Sequence, residues 1–145
     1  INHLVMTEVM VGSDASGDYE FIELYNPTAN AISLTGWSIK KNSSTGSESS
    51  LVVASRLEGK SIPAGKHFLL AHDVSYTGPT ADVVWPASYS LAYTNNSVRV
   101  YDQSGSVVDQ VTWSEIPKNS SYERPPTEGA SWAVQPTPNP QNSGQ

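Results

Sequence analysis

Glu20-Phe21-Ile22-Glu23-Leu24-Tyr25-Asn26-Pro27, followed by Gly36-Trp37-Ser38-Ile39, is the stretch that decides the fold. Its first half alternates in steps of two, with Ile22 and Leu24 on one face and Phe21, Glu23 and Tyr25 on the other, the signature of a strand. Asn26-Pro27 ends that strand, because proline has no amide to give to a ladder. Thr35-Gly36 then turns the chain into a second strand, on which Trp37 and Ile39 share a face and read as core.

The same pattern continues in both directions. Leu4–Val11 is a β-rich run, with Val5, Val9 and Val11 on one face and Leu4, Met6 and Met10 on the other. The polar segment 12–18 joins it to Tyr19–Asn26 at hairpin distance. Residues 42–50 read as an exposed loop, and Leu51–Ala54 as a short strand. Phe68-Leu69-Leu70-Ala71 is apolar on both faces and so reads as a covered strand. Asp82–Trp85, Ser97–Tyr101 and Val107–Trp113 follow, the last two joined by a Ser104-Gly105 turn. On the last of these, Val107, Asp109, Val111 and Trp113 share a face. About nine short strands and no helical apolar stripe predict an all-β, antiparallel β-sandwich of the immunoglobulin type.

Composition sets the outer limits. At 145 residues the chain fits one domain that buries roughly 68–70% of its unfolded surface. The eight Lys and Arg are scattered against fourteen Asp and Glu, for a net charge of −6, which argues against nucleic-acid binding. The absence of cysteine excludes disulfides, thiolate metal sites and cysteine nucleophiles. No apolar run is long enough to insert in a membrane. The proline-rich end, Gln135-Pro136-Thr137-Pro138-Asn139-Pro140, places residues 135–145 as a linker or extended C-terminal tail and leaves 1–134 to the sandwich.

An ordered set of segments resembles the lamin tail domain, the immunoglobulin-like module of intermediate-filament lamins. They are Glu20–Asn26, Gly36-Trp37-Ser38-Ile39-Lys40, Ile62-Pro63-Ala64-Gly65, Asp82-Val83-Val84-Trp85, Asn95-Asn96-Ser97-Val98 and Tyr101–Asp109. Ser121-Tyr122-Glu123-Arg124 and Pro136-Thr137-Pro138-Asn139-Pro140-Gln141-Asn142 look like segments of the family's bacterial branch. The chain has neither the heptad rod of a filament lamin nor a basic nuclear-localisation run. The resemblance implies a binding and docking module without catalytic residues.

The residues themselves offer few sites. Asp14, Ser16, Asp18 and Glu20 place oxygens in alternation, which suits a weak structural calcium ion, with Glu8 or Glu23 as a further ligand. No other cofactor is expected. The same 8–23 acidic region is where a metal-dependent hydrolase would act, but Glu20 and Glu23 face opposite sides of a strand. His67 and His72 also fall on opposite faces and cannot share one metal. Tyr76, Tyr89, Tyr93 and Tyr101 are candidates for binding, as rings that stack on sugars or contact a protein. The rival reading has Trp85, Tyr89 and Leu91 plugging one end of the sandwich. Asn42, Asn95 and Asn119 begin Asn-x-Ser sequons, which matter only where glycosylation machinery is present.

The expectation is therefore a non-catalytic interaction or adhesion module, secreted or at a bacterial cell surface and part of a larger multidomain chain. Its partner would be another protein or a cell-surface polysaccharide. The alternative is a carbohydrate-binding module using the aromatics of the 76–101 region.

Overall fold

The computed structural model describes residues 1–145. In chain order the strands are β1 (Val5–Val11), β2 (Glu20–Tyr25), β3 (Ile32–Ser33), β4 (Ser38–Asn42) and β5 (Glu48–Val52). After a single helical turn, α1 (Ala54–Leu57), come β6 (Ser61–Ile62), β7 (His67–His72), β8 (Val83–Trp85) and β9 (Thr94–Tyr101). The last three are β10 (Val107–Glu115), β11 (Ser121–Glu123) and β12 (Ala133–Gln135). They form a six-stranded sheet, β12-β11-β1-β2-β7-β8, facing a four-stranded sheet, β10-β9-β4-β5, with β3 and β6 as a small ribbon at the side. The predicted sandwich is what folds.

A core of 23 buried residues lies between the sheets. Ile22 and Leu24 enter it from β2, Trp37 and Ile39 from the start of β4, and Val111 and Trp113 from β10, as strand alternation requires. Trp85 is wholly buried, and its indole N–H donates to the Tyr89 carbonyl at 3.1 Å. Burial of a tryptophan is favourable only when that polar tip finds a partner.

Two strands depart from simple alternation. On β1, Leu4, Met6, Val9 and Val11 all face the main core, because a bulge between Met6 and Glu8 sets two residues against one on β2. An inserted residue inverts every following side chain. The predicted grouping of Val5 with Val9 and Val11 therefore fails. A similar shift between Val107 and Asp109 turns Val107 out to solvent, away from the face of Val111 and Trp113.

Other differences are local. The exposed loop predicted at 42–50 is shorter, because β4 runs to Asn42 and β5 begins at Glu48. Leu51 and Val52 complete β5, and the chain then enters α1. One strand pair is parallel, β7 with β8, since 73–82 loops back before rejoining the sheet. The expected boundary at 134/135 falls inside β12, which pairs with β11.

Asn26, wholly buried, organises the exit from β2. Its side-chain amide donates to the carbonyls of Asn30 (2.8 Å) and Ile62 (2.9 Å). Its oxygen accepts from the amide and the hydroxyl of Thr28, at 2.9 and 2.7 Å. Both ends of one amide are thus used, tying β2 to the 27–30 turn and to β6. Asn26→Ala strands these partners and is expected to cost about 2–4 kcal/mol. Urea unfolding should show an earlier midpoint with the slope unchanged; a loss below about 1 kcal/mol would contradict this role.

Candidate functional site

The four oxygens predicted to hold calcium do not converge. Asp14 accepts from the Asn119 side chain at 2.9 Å, the Ser16 hydroxyl accepts from the Asp18 amide at 3.1 Å, and Asp18 accepts from the Ser90 hydroxyl at 3.0 Å. Glu20 is wholly buried, with both carboxylate oxygens 3.0 Å from the Leu91 amide. Each side chain serves a different neighbour, and no group of three or more His, Asp or Glu is placed to hold a metal ion.

The four tyrosines are also dispersed. Tyr76 packs against Tyr19 and Phe21, with ring centroids 5.2 and 5.9 Å apart, on the outer side of the six-stranded sheet. Tyr89 and Tyr93 pack against the main core. The ring of Tyr93 covers Gly12 so closely that a Cβ there would lie within 3 Å of it. The segment 86–93 closes one end of the sandwich. It is held by the Trp85 and Trp113 indoles, which donate to Tyr89 and Ala92, by Glu20, and by the Lys41 ammonium on the Ser90 carbonyl. Tyr101 alone stands on an open sheet face.

That face is the outer side of β10-β9-β4-β5. Arg99 lies at its centre, donating to Gln110 (3.0 Å), Asn42 (3.0 Å) and Glu48 (3.4 Å). The Tyr101 hydroxyl donates to the same Glu48 oxygen at 2.5 Å, which holds that carboxyl below its usual range, with Arg99 adding to the effect. Lys40 sits 5.3 Å over the Tyr101 ring. Beside this network a shallow polar cleft of about 370 Å³ opens between the 42–46 turn and the 95–99 stretch.

The opposite outer face differs. The β1 bulge sets Glu8 directly across from Glu23 on β2, while Glu123 on β11 lies across from Glu8 on its other side. Three carboxyls thus stand in a row. Burial pushes Glu8 and Glu23 each up to about 7, with their carboxylate neighbours adding to the rise; burial also raises Glu123. The C-terminal residues cover the row. Glu8 accepts from the Ser121 hydroxyl (2.7 Å) and the Asn139 amide (2.9 Å). Glu23 accepts from the Thr7 hydroxyl (2.5 Å) and the Gln141 amide (2.9 Å).

Beside the row a cleft of about 460 Å³ holds Glu23, Glu123, His67 and Arg124. Both Glu23 oxygens are occupied by protein donors, so the carboxyl is not free to act as a base. Arg124 is likewise engaged, with Asp109, the Met6 carbonyl and the Trp132 ring. His67 packs tilted beside Tyr25 on the outer face, with ring centroids 4.8 Å apart, whereas His72 is buried and accepts amides of the 74–75 turn.

A family model described as the Lamin Tail Domain matches residues 1–115. The chain belongs to the lamin tail domain family. A comparison with curated proteins gives no match. Membership accounts for the immunoglobulin-like sandwich, and the family's character is that of a non-enzymatic interaction module. No helix of this lamin tail domain is long and apolar enough to cross a membrane.

Sequence reasoning missed the glutamate row, because only the bulge brings Glu8 into register with Glu23. It read residues 135–145 as a linker or extended tail from proline at 136, 138 and 140, whereas the segment lies back across the sheet on Glu8, Glu23 and Asp82. The end-plug role of Glu20 has a thermal consequence. Burial lifts its carboxyl from 4.5 to about 8, so the folded domain holds this proton more tightly than the unfolded chain. The resulting stabilisation is complete below about pH 4.5 and is lost as pH rises through about 8. The melting temperature should therefore fall between about pH 5.5 and 8.5, and Glu20→Gln, which keeps an acceptor for Leu91, should flatten that fall. An identical pH profile for variant and parent would refute the assignment.

Proposed function

We propose that this lamin tail domain is a non-catalytic interaction module of an exported or surface-associated bacterial protein. It meets its partner across the outer face of β10-β9-β4-β5. The observation that carries this reading is the pre-formed network of Arg99, Tyr101, Glu48 and Lys40 on a face that no other part of the chain covers. Arginine and tyrosine are enriched at interfaces. Side chains already fixed by one another lose less rotamer freedom on binding than free ones do.

Another protein is the partner this face suits best, since Tyr101 is the only one of the four candidate tyrosines on it. A sugar platform built from several of those rings has no counterpart there. The test is co-sedimentation of the purified chain with a bacterial cell-envelope fraction, before and after protease treatment of that fraction. Retention should be lost on protease treatment and reduced at least tenfold, about 1.4 kcal/mol, by Arg99→Ala with Tyr101→Ala. Retention that survives protease would favour a polysaccharide. Equal retention of parent and variant would sink the assignment to this face.

A further inference from the structure

The C-terminal residues form more than a cover for the glutamate row. Three of their amides, at Asn139, Gln141 and Ser143, reach carboxylates of Glu8, Glu23 and Asp82, each at 2.9 Å. Glu8 stands on β1 and Glu23 on β2, and the same Asp82 oxygen also takes the Leu69 amide of β7 at 2.8 Å. The tail thus gives one amide to β1 and one to β2 in sheet order, then a third to Asp82, which stands just before β8 and is joined to β7 through Leu69. Two residues of extended chain advance about 6.6 Å against a strand spacing of about 4.8 Å, so the crossing is oblique.

In extended chain, alternate amides point the same way. Here the donors are odd-numbered, while positions 136, 138 and 140 are proline. Proline stands only where no amide is required. It also holds the preceding residue in extended conformation, so the segment reaches the sheet with part of its ordering entropy already lost. The rings of Pro138 and Pro140 line an apolar recess with Met10, Tyr19 and Phe21. The Ser143 hydroxyl adds a bond to Asp82 at 2.5 Å, and the Asn142 side chain one to the Thr80 carbonyl at 3.0 Å. Residues 135–145 carry no charge, which suits a surface whose acceptors are acidic.

This surface has the parts of a peptide-recognition site: main-chain bonds for affinity and a side-chain recess for specificity. We propose that the outer face of the six-stranded sheet is a groove for an extended, uncharged peptide with proline at alternate positions, and that residues 138–143 are its intramolecular occupant. The partner is a segment of that pattern, presented in trans by another chain. The tail tethers its own occupant at an effective concentration in the millimolar range, so it sets the threshold that such a partner must exceed. The groove lies on the face opposite the Arg99 network and stands or falls apart from it.

The probe is a fluorescent peptide with the sequence of residues 135–145. It is titrated against the full chain carrying Asn139→Pro and Gln141→Pro, which removes two tail donors and leaves every groove residue in place. Saturable binding with a Kd below about 100 µM is expected, together with at least tenfold weaker binding of a peptide bearing the same two prolines. Equal binding of the two peptides, or none up to about 1 mM, would overturn the proposal. Should the variant unfold, the same peptides are titrated against the unaltered chain, with displacement of the tail read at the Ser143 amide resonance. A shift of that resonance with the first peptide only is expected; no shift, or the same shift with both, overturns the proposal equally.

Discussion

A carboxyl group that accepts a backbone amide from outside its own strand recurs at several joints of this molecule. Glu20 takes the Leu91 amide of the end plug, Glu8 and Glu23 take amides of the tail, and Asp82 takes amides of Leu69 and Ser143. Asp109 takes the Met6 amide beside the β1 bulge, at 2.8 Å. A buried amide without an acceptor costs about 1–3 kcal/mol, and segments that leave a ladder have no neighbouring strand to provide one. The acids provide it. Because several are deeply buried, they hold their protons to higher pH than ordinary glutamates, and the cohesion of the joints is tied to pH.

These joints explain why a sandwich of short strands keeps irregular segments in place. The 86–93 plug has little regular structure, yet it meets two indoles, one ammonium and two carboxylates. The tail has no charged residue and only small apolar contacts, yet it follows a fixed line across the sheet. In both places most of the bonds fall on the main chain, and in the tail the rings of Pro138 and Pro140 at the recess add a preference for sequence. The two outer faces diverge as a result. One is covered by the chain's own extended segment, and the other shows a fixed set of polar and cationic side chains.

Much of the fold was legible in the sequence because alternation reports burial directly. Ile22, Leu24, Trp37, Ile39, Val111 and Trp113 stand where parity places them. The β1 and β10 assignments failed at bulges, since one inserted residue inverts the parity beyond it and leaves no mark in composition. The site was less legible. Tyr89 and Tyr93 lie beside Ser and Ala and resemble surface residues, but their rings pack on the core because the plug folds over it. Glu8 and Glu23 are well separated in sequence, and register alone makes them neighbours. The alternation of proline along the tail was visible, but its meaning required the three acceptors beneath it.

The most direct measurement is amide hydrogen exchange at single-residue resolution in the unaltered chain, near pH 6. Leu91, Asn139, Gln141 and Ser143 should exchange at least about 100-fold more slowly than free peptide amides, although only acidic side chains accept from them. Gly144, whose amide meets only the neighbouring Asn142 side chain, should exchange near the free rate. Free-peptide rates at Asn139, Gln141 and Ser143 as well would show that the carboxylates do not hold the tail, and the account of the joints would fail.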